Sequence, residues 1–194
     1  SITAIVMDPK TGAILAMASS PNYDASDVED LLDTSADDDT GTLINRATSA
    51  LYAPGSTFKI VTLSGLLENN VATPETQVDA PASVDIGNAK VTNDDGAEYG
   101  SVSLKRATEV SSNTAFAKLG VQLGADKLVK TSEAFGFNKS FGGFELPVTT
   151  SLMPNPSVMT EWETAWASAG QPVGEHPGSP AGPQATVLQM ALVG

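Results

Sequence analysis

Hydrophobic and polar positions divide the chain into a β-rich opening, an apolar central helix and a longer helical part. Two apolar runs, residues 2–7 and 13–18, flank Asp8-Pro9-Lys10-Thr11-Gly12, and such a turn composition between short β-compatible segments is typical of a hairpin. Residues 56–68 carry apolar side chains on almost every face of a helix, which is typical of a buried helix. The pattern therefore predicts two antiparallel strands within residues 2–18 and a central helix over residues 56–68.

The remaining segments alternate between loops and helices. Residues 71–103 contain several prolines and glycines and predict loops with short strands. Residues 19–42 are rich in aspartate. They lack the glycine spacing of a calcium loop, so they predict a solvated acidic loop with a short helix at residues 28–32. Further helices are predicted at residues 104–110, 114–123, 125–135, 158–170 and 185–193.

Composition narrows the chemistry that this chain can perform. Its 194 residues, 41% of them hydrophobic, can bury one core, and no apolar run approaches the roughly 18–20 residues of a membrane-spanning helix. A net charge of −13 argues against a nucleic-acid partner, since phosphates would be repelled. With no cysteine and only His176, the chain cannot form disulfides, thiolate zinc sites or histidine-rich metal sites. No metal or cofactor is expected, and catalysis would use hydroxyl, carboxylate, amide or lysine groups.

Ser56 and Lys59 are the strongest candidates for catalysis. Residues three apart on a helix share a face, and a serine hydroxyl needs a nearby base to become a nucleophile. Burial in an apolar helix and proximity to the helix N-terminus both disfavour the ammonium form of a lysine. Lys59 could therefore activate Ser56. The alternative interpretation makes Ser56 a helix N-cap and Lys59 a surface residue.

A second polar segment favours the catalytic interpretation. About one Ser-x-x-Lys pair is expected by chance in a chain of this composition, so the pair alone is weak evidence. Ser111-Ser112-Asn113 lies farther along the chain, between two predicted helical stretches. At such a junction a hydroxyl and an amide can face the same cleft. Ser111 could relay a proton there, and Asn113 could hold a substrate amide.

These segments resemble, in order, those of the transpeptidase domain of class B penicillin-binding proteins. Ser56-Thr57-Phe58-Lys59 looks like the family's active-site motif, and Ser111-Ser112-Asn113 looks like its second motif. The resemblance covers nearly the whole chain. Its landmarks are residues 8–17, 45–47, 52–59, 111–116, 135–137 and 185–191.

The resemblance implies a peptidoglycan D,D-transpeptidase that β-lactams inhibit. Ser56 would attack the D-Ala-D-Ala carbonyl of a stem peptide, and Lys59 would be the general base. Ser111 would relay a proton, and Asn113 would bind the Lys59 ammonium and the substrate amide. The implied fold is α/β (α+β), with an antiparallel sheet flanked by helices and a mainly helical lobe over residues 104–194.

The resemblance also implies a location and partners. The site would act at the extracytoplasmic face of the bacterial cytoplasmic membrane, with the anchor outside this sequence. Stem peptides and β-lactams would be its ligands, and membrane-embedded cell-wall synthesis proteins would be its partners.

Three features depart from the family pattern. No third motif, K-[ST]-G, follows Met190; Lys10-Thr11-Gly12 has its letters but precedes the nucleophile, and Lys130-Thr131-Ser132 lacks the glycine. Gln171-Pro172 stands where the family usually has Gln-Gly, and Val187 where it usually has proline. Because both ends also look cut from something longer, residues 1–194 are expected to be a single incomplete transpeptidase domain without its C-terminal strands.

Other functions of the same fold stay open at this point. A class D β-lactamase shares Ser-Thr-Phe-Lys, but its second motif usually ends in valine where this chain has Asn113. A β-lactam or peptidoglycan sensor would keep the same acylation residues. A scaffold protein of the division or elongation machinery is a third possibility.

Two further features have structural interpretations. His176 lies between Glu175 and Pro177 in a loop rich in glycine and proline, and we expect it to be exposed to solvent. Trp162 and Trp166 are four residues apart on one helical face. This spacing favours a core or helix-packing contact over a ligand platform.

Overall fold

A computed structural model describes residues 1–33 and 41–194, where antiparallel sheets combine with flanking helices as predicted. The strands are β1 (Ile2–Met7), β2 (Ile14–Ser20), β3 (Gln77–Ala80), β4 (Ser83–Ile86), β5 (Ala89–Thr92) and β6 (Gly100–Ser103). The α-helices are α1 (Val28–Asp33), α2 (Arg46–Ser49), α3 (Lys59–Glu68), α4 (Leu104–Glu109), α5 (Asn113–Leu123), α6 (Ala125–Ala134), α7 (Glu161–Ser168) and α8 (Val187–Val193). Short 3-10 helices span Ala25–Asp27, Gly55–Phe58, Asp94–Gly96 and Pro156–Val158. Within the described ranges no helix is long and apolar enough to cross a membrane.

The opening hairpin is confirmed. β1 and β2 pair antiparallel from Ile2 opposite Ser20 to Met7 opposite Ile14. The Asp8 carboxylate closes the turn by accepting hydrogen bonds from the Lys10 N–H at 2.9 Å and the Thr11 hydroxyl at 2.8 Å. Lys10-Thr11-Gly12 therefore belongs to a turn, as its place in the predicted hairpin indicated.

Short strands also occur in residues 71–103, as predicted. β3 pairs with β6, and β4 pairs with β5, both antiparallel. The β4–β5 hairpin ends in Asn93, a buried residue whose amide nitrogen donates to the carbonyls of Pro81 at 3.1 Å and Ala97 at 2.9 Å. These bonds close the loop after β5 and fix its position beside α5.

The acidic segment has the short helix that its sequence predicted. The 3-10 turn Ala25–Asp27 is capped by the Asp24 carboxylate, which accepts from the Ser26 N–H at 3.1 Å, and it leads into α1. No residue of α1 is buried. Part of the predicted acidic loop, including Asp37, Asp38 and Asp39, lies outside the described residues.

The main core lies between helices α3, α5 and α6. Phe58, Leu66, Phe116 and Phe137 are fully buried there, and the rings of Phe58 and Phe137 meet edge to face with centroids 5.5 Å apart. α3 has buried residues on several faces, including Val61, Thr62, Gly65 and Leu66. The prediction of a buried central helix is therefore confirmed.

The start of the central helix differs from the prediction. The helix expected over residues 56–68 begins as the 3-10 helix Gly55–Phe58, and α3 starts only at Lys59. The reason is local: Gly55 has a φ of 56°, and the Thr57 hydroxyl donates to the Pro54 carbonyl at 2.6 Å, which tightens the turn.

The helix expected over residues 158–170 is also shorter. Thr160 and Glu163 form a capping box: the Glu163 N–H donates to the Thr160 hydroxyl at 3.2 Å, and the Thr160 N–H donates to the Glu163 carboxylate at 2.7 Å. This reciprocal pair satisfies two N–H groups at the helix start. α7 therefore begins at Glu161 and is separated from Pro156–Val158.

Close packing of α5 against α7 depends on Gly120. A Cβ atom at this position would overlap Cβ and Oγ of Ser168 on α7. The Ser168 carbonyl in turn accepts a hydrogen bond from the Thr62 hydroxyl of α3 at 2.8 Å. The absent side chain of Gly120 therefore lets α7 approach both α5 and the central helix.

We expect Gly120→Ala to lower the free energy of unfolding by about 1–3 kcal/mol, because overpacking outweighs the gain of about 1 kcal/mol in helix propensity. Thermal and denaturant unfolding measure the change. Adding Ser168→Gly removes the overlapping atoms. The double variant should therefore lose less free energy of unfolding than the sum of the two single losses. A Gly120→Ala variant as stable as the parent would contradict this packing account.

Candidate active site

Ser56 is an exposed hydroxyl at the entrance to the central helix. It lies on the 3-10 turn Gly55–Phe58, directly before α3. Phe58, two residues later, is fully buried and anchors this turn in the core. Ser56 is therefore held by a rigid segment while its side chain stays accessible.

Lys59 is the first residue of α3, and only 4% of it is exposed. Its Nζ lies 3.0 Å from the Ser56 Oγ. It also lies 2.8 Å from the carbonyl oxygen and 2.9 Å from the Oγ of Ser111. The fourth neighbour is the Oδ1 of Asn113 at 2.7 Å, so the structure brings together all four residues that the sequence singled out.

These four oxygens determine how the amine can exchange protons. The Ser111 carbonyl and the Asn113 Oδ1 can only accept, so they take two of the three N–H groups of an ammonium. The third N–H is shared between the hydroxyls of Ser56 and Ser111. When this proton leaves, the nitrogen lone pair faces both hydroxyls, and Lys59 can then accept a proton from either of them.

Burial is the main influence on the charge of Lys59. Desolvation lowers the pKa of the Lys59 amine from 10.5 to about 8, and the negative charge of Asp94 opposes this effect. A substantial neutral fraction therefore exists at mildly alkaline pH. Neutral lysine is the form that can act as a base.

The turn between α4 and α5 places both oxygens of Ser111 on the amine. Ser111 has a φ of 55°, an uncommon conformation for a residue other than glycine. Ser112 follows as the N-cap of α5, and its side chain accepts from the Ala115 N–H at 3.2 Å. The sharp turn at Ser111 thus directs its carbonyl and hydroxyl inward, while Ser112 starts the helix.

Asn113 is held from the side opposite Lys59. Its Nδ2 donates to the carbonyl of Thr92 at 3.0 Å and to the Oδ1 of Asp94 at 3.3 Å. Both partners are acceptors, so the amide nitrogen points toward β5 and the amide oxygen points toward Lys59. The second motif is therefore fixed by strand β5 and the turn after it.

Asn93 supports this arrangement, a role that no sequence pattern indicated. Its Oδ1 accepts hydrogen bonds from the Ser112 hydroxyl at 3.0 Å and the Thr114 N–H at 3.1 Å. Ser112 and Thr114 are the neighbours of Asn113, so Asn93 ties the β4–β5 hairpin to the start of α5. An asparagine after a short strand is common, and only the folded contacts distinguish this one.

A cavity of about 530 Å³ lies beside Asn113. Trp162 and Trp166 line it, with their rings edge to face and 6.5 Å apart. They also pack against the buried residues Val91, Ala117 and Ala165, as the sequence predicted. What the sequence did not indicate is that both rings also face an open cavity next to the polar site. The full lining is Lys90, Thr92, Asp94, Asn113, Trp162, Trp166, Gln171, Pro172 and Val173.

Gly170 supports the turn that carries Ser56. The Gly55 N–H donates to the Gly170 carbonyl at 3.0 Å, and Gly170 has a φ of 88°. A Cβ atom on Gly170 would overlap the carbonyl oxygen of Gly55. The segment after α7 therefore lies directly against the turn of the nucleophile candidate, a contact that the sequence pattern did not reveal.

His176 was predicted to be exposed to solvent, but its side chain is partly buried against Glu163. Its Nε2 lies 2.9 Å from the Glu163 Oε1, and the side chain is only 34% exposed. Burial raises the pKa of Glu163, but hydrogen bonds from Thr160 and the contact with His176 outweigh it, so this pKa lies below its ordinary value. The prediction was wrong because the acidic partner on α7 is remote in sequence from the loop.

We expect Gly170→Ala to lower the free energy of unfolding by about 1–3 kcal/mol, because the new methyl group displaces the Gly55 carbonyl. Gly178→Ala is the matched control: Gly178 has a φ of 79° but open space around a Cβ atom. Denaturant unfolding compares the two variants. Equal losses would show that backbone strain alone, and not the contact with Gly55, explains the effect.

Known proteins share this arrangement of segments. Residues 2–191 match the family described as the penicillin binding protein transpeptidase domain. The crystal structure of the D,D-transpeptidase domain of a peptidoglycan glycosyltransferase from Eggerthella lenta is 54% identical, with a TM-score of 0.92 over 98% of this chain and 47% of that one. Penicillin-binding protein A from M. tuberculosis, solved as a penicillin G acyl-enzyme complex, is 30% identical, with a TM-score of 0.84 over 98% of this chain and 44% of that one.

A curated relative agrees with this assignment. Peptidoglycan D,D-transpeptidase PbpA from Mycolicibacterium smegmatis is 36% identical over 162 residues, which are 77% of this chain and 33% of the relative. The chain thus spans about a third of this relative and less than half of each of the two structures. With matching motifs, fold and family, the chain belongs to the transpeptidase domains of class B penicillin-binding proteins.

Proposed function

We propose that this chain forms the acylation site of a peptidoglycan D,D-transpeptidase, with Ser56 as the nucleophile and Lys59 as its base. The observation that carries the proposal is the 3.0 Å contact between the exposed Ser56 hydroxyl and the buried Lys59 amine. The acceptor-only oxygens of Ser111 and Asn113 orient that amine at 2.8 Å and 2.7 Å. This is the arrangement of a serine that a neighbouring base activates.

The reaction would proceed through an acyl-enzyme. The Ser56 Oγ attacks the carbonyl between the two D-alanines of a stem peptide while its proton passes to neutral Lys59. The bond to the terminal D-alanine then breaks, and its nitrogen receives a proton through the Ser111 hydroxyl. The amine of a second stem attacks the ester carbonyl, loses a proton to the same relay and releases Ser56. β-Lactams would acylate Ser56 by the first step.

Asn113 and the neighbouring cavity would hold the peptide. The backbone N–H of Ser56 would donate to the developing oxyanion. A second donor from a K-[ST]-G strand, which the family resemblance implies, stays a prediction. The cavity beside Asn113 is lined by two aromatic rings and several polar side chains, a composition typical of a peptide or small-molecule site.

The location and partners are part of the same proposal. Stem peptides lie outside the cytoplasmic membrane, so the site would act at its extracytoplasmic face beside membrane-embedded cell-wall synthesis proteins. Asn113, where class D β-lactamases usually have valine, supports transfer over hydrolysis. A sensor with the same acylation residues would form the acyl-enzyme but would not pass it to an amine.

We expect the protein, as its gene encodes it, to form a one-to-one covalent adduct with a fluorescent penicillin. Ser56→Ala should abolish the adduct because no other group takes the place of the nucleophile. Ser64→Ala, which changes the serine of α3 outside the site, should label like the parent. Intact-mass spectrometry and gel fluorescence measure the adduct. Labelling of Ser56→Ala would refute the assignment of the nucleophile.

Acylation should accelerate as the pH rises through about 8, because deprotonation of Lys59 at its pKa of about 8 creates the base. Lys59→Arg keeps a cation that cannot deprotonate and should lower the second-order acylation constant by roughly 100-fold or more. Stopped-flow acylation with a chromogenic cephalosporin measures both effects. Lys130→Arg on the exposed face of α6 serves as the control. A Lys59→Arg variant with the parent's rate would exclude a base role for Lys59.

A further inference from the structure

Asp94 is placed against the second motif by the buried Asn93 that precedes it. Asp94 begins the 3-10 turn Asp94–Gly96 after β5, and the Ala97 N–H donates to its carbonyl at 3.1 Å. The side chain lines the cavity beside Asn113. A carboxylate is therefore held at a defined position on the side of Asn113 that faces away from Lys59.

Asn113 connects this carboxylate with the amine. One end of its amide donates to the Asp94 Oδ1 at 3.3 Å, and the other end accepts from the Lys59 Nζ at 2.7 Å. A carboxylate on the donor end of an amide polarises it and strengthens acceptance at the other end. The carboxylate, amide and ammonium thus form one continuous chain of hydrogen bonds.

Asp94 supplies the negative charge that acts on this amine. The side chains that surround Nζ are the hydroxyls of Ser56 and Ser111, the amide of Asn113 and, at 5.8 Å, the ring of Phe116. None of these four carries a charge. Within residues 1–33 and 41–194, Asp94 is the charged group found to affect the pKa of Lys59, and it raises that pKa against the larger effect of burial.

We infer that Asp94 is a positioning residue of the acylation site: through its hydrogen bond to Asn113 it holds the Lys59 amine in place and moves the pH range in which Ser56 reacts. This inference rests on the proposed function, because it assumes that Lys59 is the base for Ser56. It predicts that Asp94 slows acylation near neutral pH. The same carboxylate also keeps the amide oxygen of Asn113 oriented toward the Lys59 amine.

Asp94→Asn removes the negative charge but keeps the size of the side chain. The new amide oxygen can still accept the hydrogen bond from Asn113. Asp95→Asn is the matched control: Asp95 is the next residue of the same exposed turn, with a φ of 52° that asparagine tolerates. The protein as its gene encodes it is acylated with a chromogenic cephalosporin between pH 5.5 and 10, at about 0.05 M and 1 M salt, which differ strongly in charge screening.

For Asp94→Asn, the midpoint of the acylation rate plotted against pH should move down by about half a pH unit at low salt. This is the shift expected for loss of one partly solvated charge. Below the midpoint the variant should acylate about threefold faster than the parent, with the same rate at the alkaline plateau. The shift should shrink at 1 M salt. Asp95→Asn should follow the parent profile, and Asp94→Ala should lower the plateau because Asn113 loses an acceptor.

A structural role of Asp94 predicts a different result. A misplaced Asn113 would slow acylation at every pH, without acceleration on the acidic side. Such a uniform loss in Asp94→Asn, or a profile that coincides with the parent, would overturn the inference while Ser56 still labels with penicillin. Labelling that persists in Ser56→Ala would instead refute the proposed function itself.

Discussion

A buried amine with four oxygen neighbours is the contact on which the rest of the structure depends. Moving a charged lysine from water into a protein interior costs several kcal/mol unless hydrogen bonds compensate. Lys59 receives that compensation from Ser56, Ser111 and Asn113, at distances between 2.7 and 3.0 Å. The start of α3 and the α4–α5 junction must therefore meet at a fixed distance, or the amine would be left buried without partners.

Two supports keep those segments at that distance. Asn93 joins the loop after β5 to both neighbours of Asn113, and Gly170 receives the N–H of Gly55 beside the nucleophile candidate. Gly120 brings α7, the helix that ends just before Gly170, close to α5. The site is thus built where three packed helices and one hairpin converge, and small residues at the contacts make the convergence possible.

Local patterns were sufficient to predict most of the helices and strands and the shared face of Ser56 and Lys59. Turn residues between two apolar runs indicated the opening hairpin, and the apolar character of residues 56–68 indicated a buried helix. The spacing of Ser56 and Lys59 indicated a shared face, and the structure places their side chains 3.0 Å apart. These features depend on periodicity and turn chemistry within a few residues of the chain.

Features that depend on remote contacts could not be predicted in this way. Asn93 and Gly170 act on segments distant in sequence, and the pairing of His176 with Glu163 needs α7 to lie beside the loop after it. Asp94 is one aspartate among many in an acidic chain, and only its contact with Asn113 at 3.3 Å distinguishes it. Single-sequence patterns report on neighbours along the chain, whereas these residues act on neighbours in space.

The change from a 3-10 turn to an α-helix at residue 59 bears on the proposed roles of Ser56 and Lys59. A nucleophile must be open to a peptide, but a lysine base needs burial to lower its pKa. Ser56 stays exposed on the turn Gly55–Phe58, whereas Lys59, three residues later at the start of α3, is buried. Pro54 and Gly55 start this turn, so the proposed nucleophile lies one turn outside the helix that buries the proposed base.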